Sequence, residues 1–130
     1  YVRYDPGPGL PELREYIATE TMKERRPGTK PEEVIITAGA KNALTMTLLT
    51  ILEDGDEVVF PNPGYPPDEV WAKYTNAKIL HTPLNKGDWQ YDLEKLDKMI
   101  TDKTKLLIIN TPQRPNGQLV ENPEQIPFAS

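Results

Sequence analysis

Four short runs of apolar and β-branched residues, set apart by stretches with helical spacing, constrain the fold of this chain most strongly. The runs occupy residues 33–37, 57–60, 78–82 and 105–110. Apolar residues spaced at i, i+3 and i+4 predict helices over residues 11–26, 40–52, 67–74 and 93–100. Asp92 is the predicted N-cap of the last helix. Because strands that alternate with helices favour βαβ units, the sequence predicts an α/β domain with a mostly parallel sheet and flanking helices.

Three loops at the predicted strand ends are candidates for ligand binding, because α/β sheets bind ligands at the carboxyl ends of their strands. They are residues 37–41, 61–65 and 110–117. In the first, a β-branched run passes through Gly39 into a helix, whose first N–H groups lack partners and lie at the positive end of its dipole. Such a turn can bind an anion, and phosphate is the obvious one. The same junction is also an ordinary strand-to-helix connection, so this stretch alone leaves both interpretations open.

The composition excludes several classes of function. The 15 basic and 20 acidic residues, with a net charge of −5, offer no basic stripe for nucleic acid or an anionic membrane surface. The absence of cysteine excludes thiolate chemistry and fits a reducing, cytoplasmic setting. The only serine is Ser130, the last residue, which argues against a serine hydrolase. The single histidine, His81, has no second ligand at metal spacing, so we expect a strand-face or loop role and no metal site.

The organisation expected from the sequence is a single soluble domain. Neither an apolar run long enough to span a membrane nor a signal peptide is visible. We expect a loop over residues 1–9, an α/β domain over residues 10–117 and an irregular, proline-interrupted tail over residues 118–130. Since the chain begins at Tyr1 and not at a methionine, we also expect it to be a piece of a longer protein or a processed form.

Four motifs in order resemble one family of enzymes. They are Tyr4 followed by GLPELR (9–14), ITAGAKNAL (36–44), GDEVVFPNPGYP (55–66) and NTPQRPNG (110–117). Together they resemble the fold-type-I, pyridoxal-phosphate-dependent aminotransferases of class I and II. The resemblance implies the amino-terminal half of the large, cofactor-binding domain of an enzyme that transfers an amino group between an amino acid and an oxo acid.

The resemblance also implies roles for individual residues. Gly39, Ala40 and Lys41 match the turn and helix start that hold the cofactor phosphate. Tyr65 matches the aromatic residue that stacks on the pyridine ring. Tyr4 matches the tyrosine that reaches the phosphate of a neighbouring subunit, which implies a homo-oligomer.

The fourth motif departs from the family pattern at Arg114. The family has Asn-Pro-Thr-Gly there, and its asparagine donates a hydrogen bond to the ring hydroxyl oxygen, whereas this chain has RPNG over residues 114–117. Arginine has five N–H donors and a permanent charge, so it can donate to the same oxygen or to a substrate carboxylate. Arg114 is therefore a candidate cofactor-binding residue that is longer than the residue it replaces.

The groups that carry out the reaction lie beyond the fourth motif in this family. The resemblance implies a Schiff-base lysine, a carboxylate at the pyridine nitrogen and an arginine for the substrate. None of the ten lysines here is assigned the first role, so we name no catalytic residue and expect the isolated chain to be inactive.

Two other classes of protein stay open as interpretations. One is a non-catalytic α/β module that binds a ligand or self-associates through the apolar helix after Gly39 or through an open strand edge. The other is a nucleotide-binding α/β domain, which the lack of a Gly-x-Gly-x-x-Gly turn after a strand disfavours.

Overall fold

The computed structural model describes residues 7–113, 116–121 and 126, and for residues 66–68 it describes the backbone alone. The chain forms two compact units, Tyr1–Leu44 and Thr45–Ser130. No helix in the described ranges is long and apolar enough to cross a membrane.

The first unit begins with a short helix, α1 (Pro11–Tyr16), with proline in its first turn as the sequence predicts. The expected continuation of this α-helix to residue 26 is wrong. Residues Ile17–Thr21 form a π-helical turn, in which the N–H of Met22 donates to the carbonyl of Ile17 at 2.9 Å. This i to i+5 hydrogen bond widens the turn, so the α-helical register ends there.

The strand predicted over residues 33–37 is also wrong. Pro31–Glu33 is a single 3₁₀ turn, and residues 34–37 are irregular. The N–H of Ile36 donates to the carbonyl of Pro8 at 2.8 Å, and Arg14 Nε donates to the carbonyl of Val34 at 2.8 Å. A strand needs a ladder of such pairs with one neighbour. In the described residues this apolar segment is tied by separate hydrogen bonds instead.

Helix α2 (Ala40–Ile51) begins directly after Gly39, as the sequence predicts. The expectation that this helix is buried is wrong in part. Leu48 is fully buried, but three other apolar residues are 51%, 48% and 43% exposed, namely Met46, Leu49 and Ile51. Apolar side chains around a helix favour its burial. Burial also requires another element to pack against them, and the sequence pattern does not specify that element.

The second unit contains the predicted parallel sheet, which has three strands in the order β2-β1-β3. The elements follow one another as β1 (Glu57–Asn62), α3 (Pro66–Tyr74), β2 (Lys78–Pro83), α4 (Leu93–Met99) and β3 (Thr104–Leu107). Asp92 caps α4 as predicted, accepting a hydrogen bond from the N–H of Lys95 at 3.1 Å. β3 is shorter than expected, although the N–H of Ile108 still donates to the carbonyl of Val59 at 2.9 Å.

The core of this unit lies around the central strand β1. On one face, Val59 forms a buried cluster with Leu84, Tyr91, Leu96 and Ile126. Val58 and Phe60 are buried as well and point to the opposite face, because successive side chains of a strand alternate. Since all three strands run parallel, their carboxyl ends meet at one edge of the sheet.

Candidate functional site

The first candidate loop lies in the first unit and is an open glycine turn. Gly39 has φ +89°, a region that favours glycine, and a Cβ atom there would have no described atom within 4 Å beyond its chain neighbours. The N–H groups of Asn42 and Ala43 donate to the Gly39 carbonyl at 3.2 and 3.3 Å. Ala40 and Lys41 are the first residues of α2, so the helix provides no acceptors for their N–H groups. Lys41 is exposed beside this turn.

The second candidate loop, residues 61–65, follows β1 in the second unit and is called the Tyr65 loop below. Tyr65 is half-buried and immediately precedes α3, with an extended backbone. Gly64 is required in this loop, because a Cβ atom there would collide with the carbonyl oxygen of Pro61.

The third candidate loop follows β3 at the same edge of the sheet. Its described residues 110–113 and 116–118 are called the Gln113 loop below. Gln113 is only 3% exposed, and its side-chain Nε2 donates to the carbonyl oxygen of Pro63 at 2.9 Å. The structure thus joins the second and third loops directly, as their positions at parallel strand ends predict.

The predicted site residues fall in three places. Gly39, Ala40 and Lys41 lie in the first unit and Tyr65 lies in the second, while Tyr4 and Arg114 lie outside the described residues. Gln113 was not predicted as a site residue. Its only signal in the sequence was a place inside the fourth motif, because no local pattern specifies a hydrogen bond to a residue 50 positions away.

A depression of about 380 Å³ lies beside the Tyr65 loop, lined by residues 61–64 together with Glu69 and His81. Nε2 of His81 lies 3.0 Å from a carboxylate oxygen of Glu69. His81 lies in β2 and its side chain is exposed, which agrees with the expected strand-face role. No group of three or more histidine, aspartate or glutamate side chains able to hold a metal occurs in the described residues.

Three groups among the described residues of the second unit have shifted pKa values, and all three have structural roles: the helix cap Asp92, Glu57 and Tyr91. Hydrogen bonds from Lys78 and then from Thr101 lower the pKa of Glu57, which is 6% exposed at the amino end of β1. Burial in the core raises the pKa of Tyr91 to about 12. Glu57 lies at the edge of the sheet opposite to the Tyr65 and Gln113 loops, and Tyr91 lies inside the apolar cluster.

Comparison with known proteins identifies the class that this fold and these loops define. The family described as aminotransferase class I and II matches residues 1–126, and the chain belongs to that family. The family expected from the four motifs is thereby confirmed. Members of the family depend in general on pyridoxal phosphate and act on amino and oxo acids.

Individual relatives agree with this assignment. The chain is 36% identical over 123 residues to a probable aspartate/prephenate aminotransferase of Aquifex aeolicus, covering 94% of the chain and 31% of that protein. It is 35% identical to a probable aspartate aminotransferase of Methanocaldococcus jannaschii, covering 91% of the chain and 31% of the relative. The solved alanine aminotransferase from Pyrococcus furiosus is 33% identical with a TM-score of 0.84, over 95% of this chain and 32% of that one. The α/β fold is confirmed, and the chain spans about a third of the length of these relatives.

Proposed function

We propose that this chain supplies the phosphate-binding turn and a ring-contacting loop of the pyridoxal phosphate site in an amino-acid aminotransferase. One observation carries the proposal. Within the residues that match the family, an open glycine turn leads into a 12-residue helix whose second residue is the exposed Lys41. Residues 10–117 form the cofactor-binding part in this proposal, with a loop before it and a tail after it. The setting is cytoplasmic, which the absence of cysteine fits.

The residues of the first unit fit a phosphate group. The open space at Gly39 admits an anion close to the backbone, and the N–H groups of Ala40 and Lys41 lie at the positive end of the α2 dipole. The ammonium group of Lys41 adds a flexible positive charge to the same turn. These donors hold a phosphate by its charge and do not discriminate among the groups attached to it.

The remaining candidate residues bind or orient the rest of the cofactor and the substrate. Tyr65 offers an aromatic face to the pyridine ring. Arg114 donates to the ring hydroxyl oxygen or to the carboxylate of an amino acid or oxo acid. Tyr4 reaches a phosphate in a neighbouring copy, so the working form is a homo-oligomer. Pyridoxal phosphate, when bound, supplies the electron sink that amino-group transfer requires.

A second candidate function is a non-catalytic binding or self-associating module on the same scaffold. The observation that favours it is RPNG over residues 114–117 where the family has Asn-Pro-Thr-Gly. An arginine that occupies the space of the ring or the substrate would allow phosphate binding without transamination.

A titration with pyridoxine 5′-phosphate tests the leading proposal, because this ligand keeps ring and phosphate but lacks the aldehyde that reacts with any exposed lysine. We expect roughly millimolar affinity, a few kcal/mol at the 1 M standard state. Lys41→Ala should weaken binding severalfold, whereas Lys23→Ala, which removes another exposed lysine of the first unit, should leave it unchanged. Equal affinity for pyridoxine without phosphate would contradict the proposal.

A further inference from the structure

The side chain of Gln113 links two loops that the chain itself separates by 50 residues. Its Nε2 donates to the carbonyl oxygen of Pro63 at 2.9 Å, and the residue is 3% exposed. The donating amide is buried whereas Pro63 is half-buried, so this amide has no water to bond to in place of the Pro63 carbonyl. The link is therefore stronger in effect than the same contact on the surface.

The backbone of Gln113 is itself fixed, so its side chain starts from a closed turn. The N–H of Gln113 donates to the carbonyl of Gln118, and the N–H of Gly117 donates to the carbonyl of Gln113, both at 2.6 Å. The N–H of Gln118 also donates to the side-chain oxygen of Asn116 at 3.0 Å. The Gln113 loop thus provides an anchored donor.

The receiving loop transmits the position of Pro63 to Tyr65 over a short path. Gly64 alone separates the two residues, and the Pro61 carbonyl lies so close to Gly64 that a side chain there would collide with it. Tyr65 then leads directly into α3. A Pro63 carbonyl held in place therefore restricts where the Tyr65 ring can lie.

We propose that Gln113 is a positioning residue, which holds the Pro63 carbonyl and through it sets the Tyr65 ring for the pyridine ring of the cofactor. The inference rests on the proposed function for its ligand, but its structural half concerns the chain alone. The amide donor is the essential group. Leucine fills a similar volume without a donor, and glutamate donates to a carbonyl only when it is protonated.

The first arm of the test uses the chain without ligand and follows amide hydrogen exchange at Gly64 and Tyr65 by NMR. Gln113→Leu should accelerate exchange there. Gln90→Leu is the matched control, because Gln90 also donates its side chain to a backbone carbonyl, that of Leu119 at 2.9 Å, in another loop. The exchange rates of Gln113→Glu at Gly64 and Tyr65, compared with wild type at the same pH, should resemble those of Gln113→Leu at neutral pH. They should approach the wild-type rates as the pH falls. A simple loss of packing would give no such recovery.

The second arm measures affinity for pyridoxine 5′-phosphate in a double-mutant cycle. Gln113→Leu should weaken binding about fivefold, the effect of one hydrogen bond of ordinary strength. In a Tyr65→Leu background the same substitution should change the affinity little, because the residue through which Gln113 acts is gone.

The outcomes separate the two proposals. A wild-type chain that fails to bind the ligand overturns the proposed function and the ligand half of this inference, while the exchange arm decides the structural half. Exchange at Gly64 and Tyr65 that is unchanged in Gln113→Leu overturns the positioning role, as does a fivefold loss that persists in the Tyr65→Leu background. If Gln113→Leu does not fold, the exchange rates of Gln113→Glu, divided by those of wild type at the same pH, decide instead. A ratio that returns toward one in acid supports the positioning role, and a ratio that stays the same over the pH range overturns it.

Discussion

The carboxylate of Glu57 pairs with the ammonium group of Lys78 at 2.9 Å, between residues that stand opposite each other in β1 and β2. The other carboxylate oxygen accepts a hydrogen bond from the hydroxyl of Thr101 at 2.8 Å, just before β3. Glu57 is nearly buried, and these contacts join β1 to β2 and to the turn that leads into β3, at the amino edge of the sheet. The Tyr65 and Gln113 loops lie at the other edge, and the stability of the sheet can be changed without touching them.

This pairing predicts a loss of stability in acid. The pKa of Glu57 is lower in the folded chain than its ordinary value of 4.5, so its contribution is complete above that value and is lost as the pH falls through the folded pKa. Glu57→Gln should lower the free energy of unfolding at neutral pH by about 1–3 kcal/mol and flatten its decline in acid. Urea denaturation at neutral pH and below pH 4 measures both effects.

The control for this prediction is Glu94→Gln, which changes an exposed glutamate on α4. It should leave both the stability and its pH dependence nearly unchanged. An equal loss at both pH values in Glu57→Gln would show that the carboxylate acts by packing alone.

The second prediction concerns Ile126, which lies near the end of the chain and is 2% exposed in the cluster around Val59. Ile126→Ala should lower the free energy of unfolding by about 2–4 kcal/mol, because a cavity remains in the core. Leu119→Ala changes a residue that is 61% exposed, and it should cost less than about 0.5 kcal/mol. Equal effects in thermal unfolding would mean that Ile126 does not pack as described.

The third prediction concerns the apolar surface of α2. Met46 and Leu49 are 51% and 48% exposed and lie three positions apart on one side of the helix. We expect the chain to self-associate at high micromolar concentration, and the double variant Met46→Gln, Leu49→Gln to weaken that association. Thr50→Gln on the same helix is the control. A wild-type chain that sediments as a clean monomer would contradict this expectation.

The sequence predicted the parts of the fold in which local pattern and tertiary partner agree. β1 and β2 are short apolar runs that meet strand neighbours, and Asp92 caps α4 through a hydrogen bond to a residue three positions away. Because parallel strands bring their carboxyl ends together, the sequence also predicts that the second and third candidate loops lie at one edge of the sheet.

Three of the failures involve partners that a local pattern does not specify. Residues 33–37 have strand composition, but in the described chain they form no ladder with a neighbouring strand. The N–H of Ile36 donates to the carbonyl of Pro8 instead. Met46 and Leu49 belong to a helix with the apolar composition of a core helix, but no described element covers their side chains, which are about half exposed. Gln113 was missed for the same reason, since its role is defined by a carbonyl 50 residues away.

The central claim is that the turn at Gly39 binds the cofactor phosphate. Its most direct measurement is an NMR titration of the backbone amides with inorganic phosphate. The largest shifts should fall at residues 38–43, they should shrink in Lys41→Ala but not in Lys23→Ala, and they should weaken as salt is added, because exposed charges are screened. If the amides of residues 38–43 stay still while others move, the turn is only a connection between elements and the claim is wrong.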